Sequence, residues 1–94
     1  MTETFVHPTA LVEDEVTLGT GTSVWDNAHL RRGAVIGTDC IIGGKSYLAN
    51  SVRLGDRCKI NAMVYICSGV SMGDGVMVAA HATFTNDFYP RACV

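Results

Sequence analysis

The sequence lacks several features that would place it in a common functional class. It has no apolar run approaching the length of a membrane span. Its first residues do not combine a basic region with an apolar one, so no secretory signal peptide is predicted and a cytoplasmic location is expected. With a formal net charge of −2, the chain gives no reason to expect nucleic acid or an anionic membrane as a partner.

What the sequence does contain is an uninterrupted period of six. Every sixth residue from Val6 to Phe84 is apolar, and a small or β-branched residue follows four places after nearly all of them. Neither a helix nor an alternating strand repeats at six, so the period predicts short strands joined by tight turns, each with one large and one small inward side chain. The large inward residues are Val6, Val12, Leu18, Val24, Leu30, Ile36, Ile42, Leu48, Leu54, Ile60, Ile66, Met72, Val78 and Phe84.

Glycines indicate how these strands wind into coils. Gly19, Gly37, Gly55 and Gly73 are spaced by eighteen residues, so three hexads make one coil and the same corner recurs once per turn. Glycine is expected there because it adopts backbone angles that are closed to other residues. The sequence therefore predicts a single all-β domain over residues 1–94: a parallel β-helix of about four triangular coils over residues 6–84, followed by an irregular tail over 85–94.

The coil register predicts which side chains point outward on three faces, called A, B and C. Face A carries an apolar stripe that includes Trp25, and face B carries a ladder of His29, Tyr47 and Tyr65. Such stripes are too large to leave exposed, so Trp25, Tyr47 and Tyr65 are predicted to lie at an interface between subunits. The alternative is that the aromatic ladder only shields its own sheet. Face C is predicted to face solvent.

The same register argues against a metal site within one chain. Cys40 and Cys58 lie eighteen residues apart, so they stack in one inward column where small buried residues are needed, and a packing role is predicted. No Cys-x-x-Cys pair occurs to indicate structural zinc. His29 and His81 lie three coils apart, which is roughly 14 Å at the usual spacing of strands.

Charge is distributed unevenly along the chain. The first 26 residues are acidic and contain no basic residue, whereas the middle of the chain is basic. A polyanionic small molecule would find its counter-charges there, but a solvated face is the favoured interpretation. The basic residues are Arg31, Arg32, Lys45, Arg53, Arg57 and Lys59.

The hexad pattern resembles the hexapeptide-repeat acyltransferase family, whose fold is a left-handed parallel β-helix. The left hand is implied by this resemblance alone. The segment from His81 to Arg91, with Phe84-Thr85-Asn86 followed by Pro90-Arg91, is similar to a signature of bacterial nucleotide-sugar N-acetyltransferases. These enzymes acetylate the 3-amino group of dTDP- or UDP-linked amino sugars with acetyl-CoA. Val24-Trp25 with His29, and the segment 56–61, also resemble the first coils of that family.

The resemblance implies an acetyl-CoA-dependent homotrimer with its sites in grooves between chains. By this match Asn86 would orient the attacking amine, while His81 is the side chain best suited to titrate near neutral pH. His81 and Asn86 flank face B in one chain, so they are not expected to act as a pair. Among substrate-binding residues, Asp87 would bind sugar hydroxyls or accept a proton and Arg91 would reach a phosphate. His29 and Asn61 would line the groove.

Family members of this type continue beyond the Pro-Arg signature with further coils, so the chain is expected to correspond to their N-terminal half. An uncapped last coil would allow trimers to stack end to end into a hexamer. Two functions therefore stay open. One is an N-acetyltransferase acting on a nucleotide-linked amino sugar, and the other is a non-catalytic trimer that binds a sugar nucleotide or a protein partner.

Overall fold

The computed structural model describes residues 3–84, and within this range the chain is a parallel β-solenoid of about four turns. Its fourteen strands are two residues long, and each coil contributes one strand to each of three sheets. Strands pair in register eighteen residues apart, as Tyr47 does with Tyr65. The predicted all-β solenoid of eighteen-residue coils is confirmed. No helix occurs among residues 3–84, so none is long and apolar enough to cross a membrane.

The three sheets coincide with the three predicted faces. Sheet A contains β1 (Phe5–Val6), β4 (Ser23–Val24), β7 (Ile41–Ile42), β10 (Lys59–Ile60) and β13 (Met77–Val78). Sheet B contains β2 (Leu11–Val12), β5 (His29–Leu30), β8 (Tyr47–Leu48), β11 (Tyr65–Ile66) and β14 (Thr83–Phe84). Sheet C contains β3 (Thr17–Leu18), β6 (Val35–Ile36), β9 (Arg53–Leu54) and β12 (Ser71–Met72).

The core is built from the second residue of each strand and from the small residue before the next strand. Burying a Leu or Ile side chain contributes roughly 1.5–3 kcal/mol, so these columns provide most of the driving force for folding. The large members that are essentially fully buried include Val24, Leu30, Ile36, Ile42, Leu48, Ile60 and Ile66, and the small ones include Ala28, Ala34, Cys40, Val52, Cys58 and Val64. The predicted alternation of large and small inward residues is confirmed.

From the corner at Glu15 onward, each corner of the solenoid contains one residue with left-handed backbone angles. These residues recur at every sixth position from Glu15 to His81. Most of them are not glycine, and each such residue costs roughly 1–2 kcal/mol. From Asp39 onward their amides donate to carbonyl groups of the preceding coil, as Lys45 N does to Asp26 O and Arg57 N does to Thr38 O, both at 2.8 Å. Pairing these amides stabilises the corners against the backbone strain.

The glycines that are spaced by eighteen have a different role from the one predicted. Gly19, Gly37 and Gly55 do not adopt left-handed angles. Instead, a Cβ atom on Gly19 would lie 2.5 Å from Gly37 C, and one on Gly37 would lie 2.6 Å from Gly55 O. The expectation of unusual backbone angles at these glycines is therefore wrong. Glycine is required because consecutive coils approach too closely for a side chain.

Gly37→Ala is expected to destabilise the solenoid by about 1–3 kcal/mol, because the new methyl group overlaps the backbone of the next coil. Chemical unfolding followed by circular dichroism measures the change. Gly73→Ala is the matched control, because a Cβ there meets no described atom within 4 Å. Equal losses of stability for the two variants would contradict the close-approach explanation.

A column of small polar side chains closes the corner between sheets C and A. Each member donates to the carbonyl oxygen of the glycine fifteen residues further along: Thr4 to Gly19 (2.9 Å), Thr22 to Gly37 (2.6 Å), Cys40 to Gly55 (3.1 Å) and Cys58 to Gly73 (3.1 Å). The two cysteines are free thiols, and they are buried as predicted. Burial raises the pKa of the Cys40 thiol, which keeps it protonated and able to donate. The cysteines therefore bond the corner as well as packing in it.

Thr22→Val is expected to destabilise the fold by about 1–3 kcal/mol, because it leaves buried polar groups unpaired. The Thr22 hydroxyl donates to Gly37 O and accepts from Cys40 N at 3.1 Å, and the residue is fully buried. Thermal unfolding measures the change, and Thr22→Ser keeps the hydroxyl as a control. A Val variant as stable as the Ser variant would show that the column acts only by packing.

Candidate functional site

Of the residues predicted to surround the reacting amine, only His81 lies within the range that the structure describes. Asn86, Asp87 and Arg91 lie outside residues 3–84. His81 lies at the corner that leads from sheet A into β14, where it is exposed and has a φ of 66°. Its backbone amide donates to Ala62 O at 3.2 Å. His81 is therefore held by its backbone, which leaves its imidazole at the surface.

Asn61 lies at the same corner, one coil earlier. Its side-chain amide Nδ2 donates to Val78 O at 2.7 Å, and the residue is half-buried. This bond joins two consecutive coils and uses one of the two amide hydrogens. The carboxamide oxygen and the second amide hydrogen of Asn61 take no part in this bond.

His29, Tyr47 and Tyr65 form a continuous ladder along sheet B because their strands pair in register. The ring of His29 meets Tyr47 edge-on, with centroids 5.2 Å apart, and Tyr47 stacks on Tyr65 at 5.2 Å with an interplanar angle of 18°. All three are half-buried. The ladder leaves their polar edges near the surface of face B.

Glu13 contacts the ladder at its His29 end. Its Oε2 atom lies 2.9 Å from His29 Nε2, and its Oε1 atom accepts a hydrogen bond from the Arg32 amide at 3.0 Å. Arg31 Nε is 2.8 Å from the same Oε2, as an ion pair rather than as a well-aligned hydrogen bond. The hydrogen bond with His29 lowers the pKa of the Glu13 carboxyl, and the Arg32 amide and the Arg31 charge act in the same direction.

Arg31 connects the carboxylate to the aromatic ladder. Its Nη1 donates to the Tyr47 hydroxyl, and its guanidinium carbon lies 5.9 Å from the centroid of the Tyr47 ring. Glu13, His29, Arg31 and Tyr47 are therefore one connected network across three coils, here called the face B cluster. A guanidinium held in this way is oriented before any ligand binds.

The sequence interpretation did not include Glu13 and Arg31 among the site residues. The signal was present, because the two residues are eighteen apart and occupy the same column of consecutive coils with opposite charges. Similar pairs join Arg32 to Glu15 (3.5 Å) and Arg57 to Asp74 (3.9 Å). Three of the basic residues in the middle of the chain, Arg31, Arg32 and Arg57, thus form ion pairs with carboxylates of the same chain.

Face A is the second feature that stands out. Phe5 and Trp25 pack together with ring centroids 5.1 Å apart, yet 41% and 42% of their surfaces stay exposed. Ile41 is 40% exposed and Met77 is 72% exposed on the same face. The predicted apolar stripe is therefore present on the surface of the single chain.

A single chain does not enclose a binding cavity in the part that the structure describes. Residues 3–84 form no pocket, and they include no group of three His, Cys, Asp or Glu side chains placed to hold a metal ion. The functional side chains of these residues lie on open faces.

Two family models match the chain. One, described as bacterial transferase hexapeptide (six repeats), matches residues 51–86, and the other, described as hexapeptide repeat of succinyl-transferase, matches residues 33–68. Together the two matches cover more than half of the chain, and the six-residue strand-and-turn unit is the one observed in the structure. The chain belongs to the hexapeptide-repeat family.

Two curated acyltransferases are similar to part of the chain. An acyl-[acyl-carrier-protein]–UDP-N-acetylglucosamine O-acyltransferase of Brucella anthropi is 61% identical over 36 residues, and that of Brucella ovis is 58% identical over 36 residues. The matched stretch is 38% of this chain and 13% of each relative. The chain therefore spans a small part of the curated relatives that it matches.

Solved structures are similar over most of the chain. The acetyltransferase domain of PglB from Neisseria gonorrhoeae FA1090 superposes with a TM-score of 0.66 at 20% identity, covering 87% of this chain and 49% of that one. The same domain in complex with acetyl coenzyme A gives a TM-score of 0.54 at 19% identity, covering 83% and 52%. The shared feature is the fold, and the chain spans about half the length of these neighbours.

Glu13→Gln is expected to lower stability at neutral pH and to have little effect in acid. A carboxylate whose folded pKa is lowered stabilises the fold above its ordinary pKa of about 4.3, and that contribution is lost as the pH falls through the lower folded value. The melting temperatures of the variant and the wild type, compared from pH 7 to pH 3, should therefore converge. Glu15→Gln is the control, because the Glu15 side chain is 69% exposed. A difference that does not narrow as the pH falls would contradict this account of Glu13.

Proposed function

We propose that the protein is an acetyl-CoA-dependent N-acetyltransferase that acts on a nucleotide-linked amino sugar. The observation that carries this proposal is the 61% identity over 36 residues to an enzyme whose name combines acyl transfer with a UDP-linked sugar. The preference for an amine over a hydroxyl group rests on the Phe84-Thr85-Asn86 and Pro90-Arg91 segments, which resemble the signature of nucleotide-sugar N-acetyltransferases.

The fold supports acetyl-CoA as the donor. A neighbour of the same architecture is an acetyltransferase domain that was solved in complex with acetyl coenzyme A. The reaction needs little from the protein beyond orientation, since a deprotonated amine attacks a thioester readily. The amine nitrogen forms a bond to the acetyl carbon, the carbon–sulfur bond breaks, and the proton lost by the amine ends on the CoA thiol. The products are an amide and CoA.

In this proposal the sites lie between the chains of a homotrimer. The apolar stripe of face A is exposed on the single chain, and residues 3–84 enclose no pocket of their own. Packing face A and the ladder of face B against neighbouring chains would place Trp25, Tyr47 and Tyr65 at the interface and create grooves between the chains. In such a groove Asn86 orients the amine, and His81, Asp87 and Arg91 belong to the same end of the site. His29 and Asn61 contact the more distant part of the substrate.

The transfer reaction is tested with the 94-residue chain and acetyl-CoA. CoA release is followed with a UDP- or dTDP-linked 3-amino sugar, and the corresponding 3-hydroxy sugar nucleotide serves as the matched control. The proposal expects CoA release and an equal amount of acetylated product with the amine only. CoA release with only the 3-hydroxy sugar nucleotide would contradict N-acetylation and indicate O-acylation instead. Release with neither compound would leave a non-catalytic solenoid that binds a sugar nucleotide or a protein partner.

Trp25→Asp is expected to convert the proposed trimer into monomers, because a carboxylate would have to be buried without a partner in the apolar interface. Analytical ultracentrifugation measures the mass of the variant. Ser71→Asp makes the same change on face C, at an exposed strand position, and should leave the trimer intact. If the Trp25 variant were still a trimer, face A would not be the interface.

A further inference from the structure

We infer that His29 and Tyr47 bind the nucleobase of the substrate, with Glu13 and Arg31 as positioning residues that fix them in place. This inference rests on the proposed function and extends it, because it assigns the recognition of the nucleotide end to the face B cluster. It is carried by the position of the cluster on sheet B, by its open hydrogen-bonding atoms and by its charge.

Position is the first argument. His29 lies on β5, and β14 of the same sheet ends at Phe84, the first residue of the Phe84-Thr85-Asn86 segment. Two strands, β8 and β11, separate them, so the distance along the sheet is three strand spacings or roughly 14 Å. A ligand whose amine is held at the signature must extend along face B to reach the cluster. An extended sugar nucleotide places its base, rather than its sugar, at the far end.

The open atoms of the cluster are the second argument. The Glu13 carboxylate can only accept, so His29 carries a hydrogen on Nε2, and whenever the ring is neutral its Nδ1 atom is an acceptor. No partner for Nδ1 occurs among residues 3–84. The Tyr47 oxygen accepts from Arg31, which leaves the phenolic hydrogen free to donate. An acceptor and a donor on adjacent rungs of the ladder complement the neighbouring N–H and C=O groups of a nucleobase edge.

Charge is the third argument, and it distinguishes the base from the diphosphate. Arg31 and Arg32 are the cations at this end of face B, and both already lie against carboxylates. The carboxylates of Glu13, Asp14 and Glu15 outnumber these two guanidinium groups. A diphosphate would be repelled there, whereas a neutral base would not. The cluster is therefore suited to the uncharged end of the nucleotide.

Steady-state kinetics on the 94-residue protein test the inference. His29→Asn and Tyr47→Phe should each raise the KM for the amino-sugar nucleotide about three- to tenfold, the effect of one lost hydrogen bond, while kcat changes less than about twofold. With the amino sugar 1-phosphate, which has no nucleoside, the variants and the wild type should have the same KM. Glu13→Gln should raise the KM for the amino-sugar nucleotide but not the KM for the amino sugar 1-phosphate, as expected for a residue that positions His29.

His7→Asn is the control for the histidine change, because His7 lies on face A and the hydrogen bonds of its imidazole go only to Thr9 of its own turn among the described residues. The mass in solution is compared for all variants to exclude loss of assembly. If the wild type transfers acetyl groups but the KM penalty of the variants is equal for both substrates, the inference is wrong and the proposed function stands. If the wild type acetylates neither substrate, both are wrong.

Discussion

The spacing between consecutive coils is the constraint on which the rest of the structure depends. Strand amides bond to carbonyl groups of the next coil, as Tyr47 N does to Val64 O at 2.8 Å, while corner amides bond back to the preceding coil, as Lys45 N does to Asp26 O. The two sets of bonds hold every coil in register with its neighbours at a separation of roughly 4.8 Å. A residue therefore always meets the residue eighteen positions away.

Because of this register, residues eighteen positions apart in the sequence stack in columns along the solenoid. These columns account for the stability of the fold and for the arrangement of the candidate site. Inside, they give the alternating large and small side chains of the core and the Thr-Cys column that pairs with the glycine carbonyls. Outside, they place Glu13 under Arg31 and stack Tyr47 on Tyr65. Because each sheet is narrow, a site on one chain is a strip along the solenoid axis rather than a pocket. A strip suits an elongated ligand that is enclosed by a second chain.

The sequence predicted the fold well because the period is carried by the inward residues themselves. Substituting any one of them would still leave thirteen hexads to specify the register. The role of the eighteen-spaced glycines was less accessible, because spacing alone does not distinguish a left-handed turn from a close approach of backbones. The structure shows the latter at Gly19 and Gly37.

The site was predicted less completely, for reasons that the same columns explain. Glu13 and Arg31 were considered as parts of an acidic and a basic segment, whereas their interaction follows from sharing a column. The bond from Asn61 to Val78 O depends on a rotamer, which sequence does not determine. The roles predicted for Asn86, Asp87 and Arg91 stay predictions, since these residues lie outside residues 3–84.

The central claim is that this solenoid assembles into a trimer that binds acetyl-CoA between its chains. Calorimetric titration of acetyl-CoA into the 94-residue protein, with the mass in solution determined on the same sample, tests it most directly. The account predicts a trimer with one site per subunit. A monomer, or a trimer that releases no heat of binding at millimolar acetyl-CoA, would contradict it.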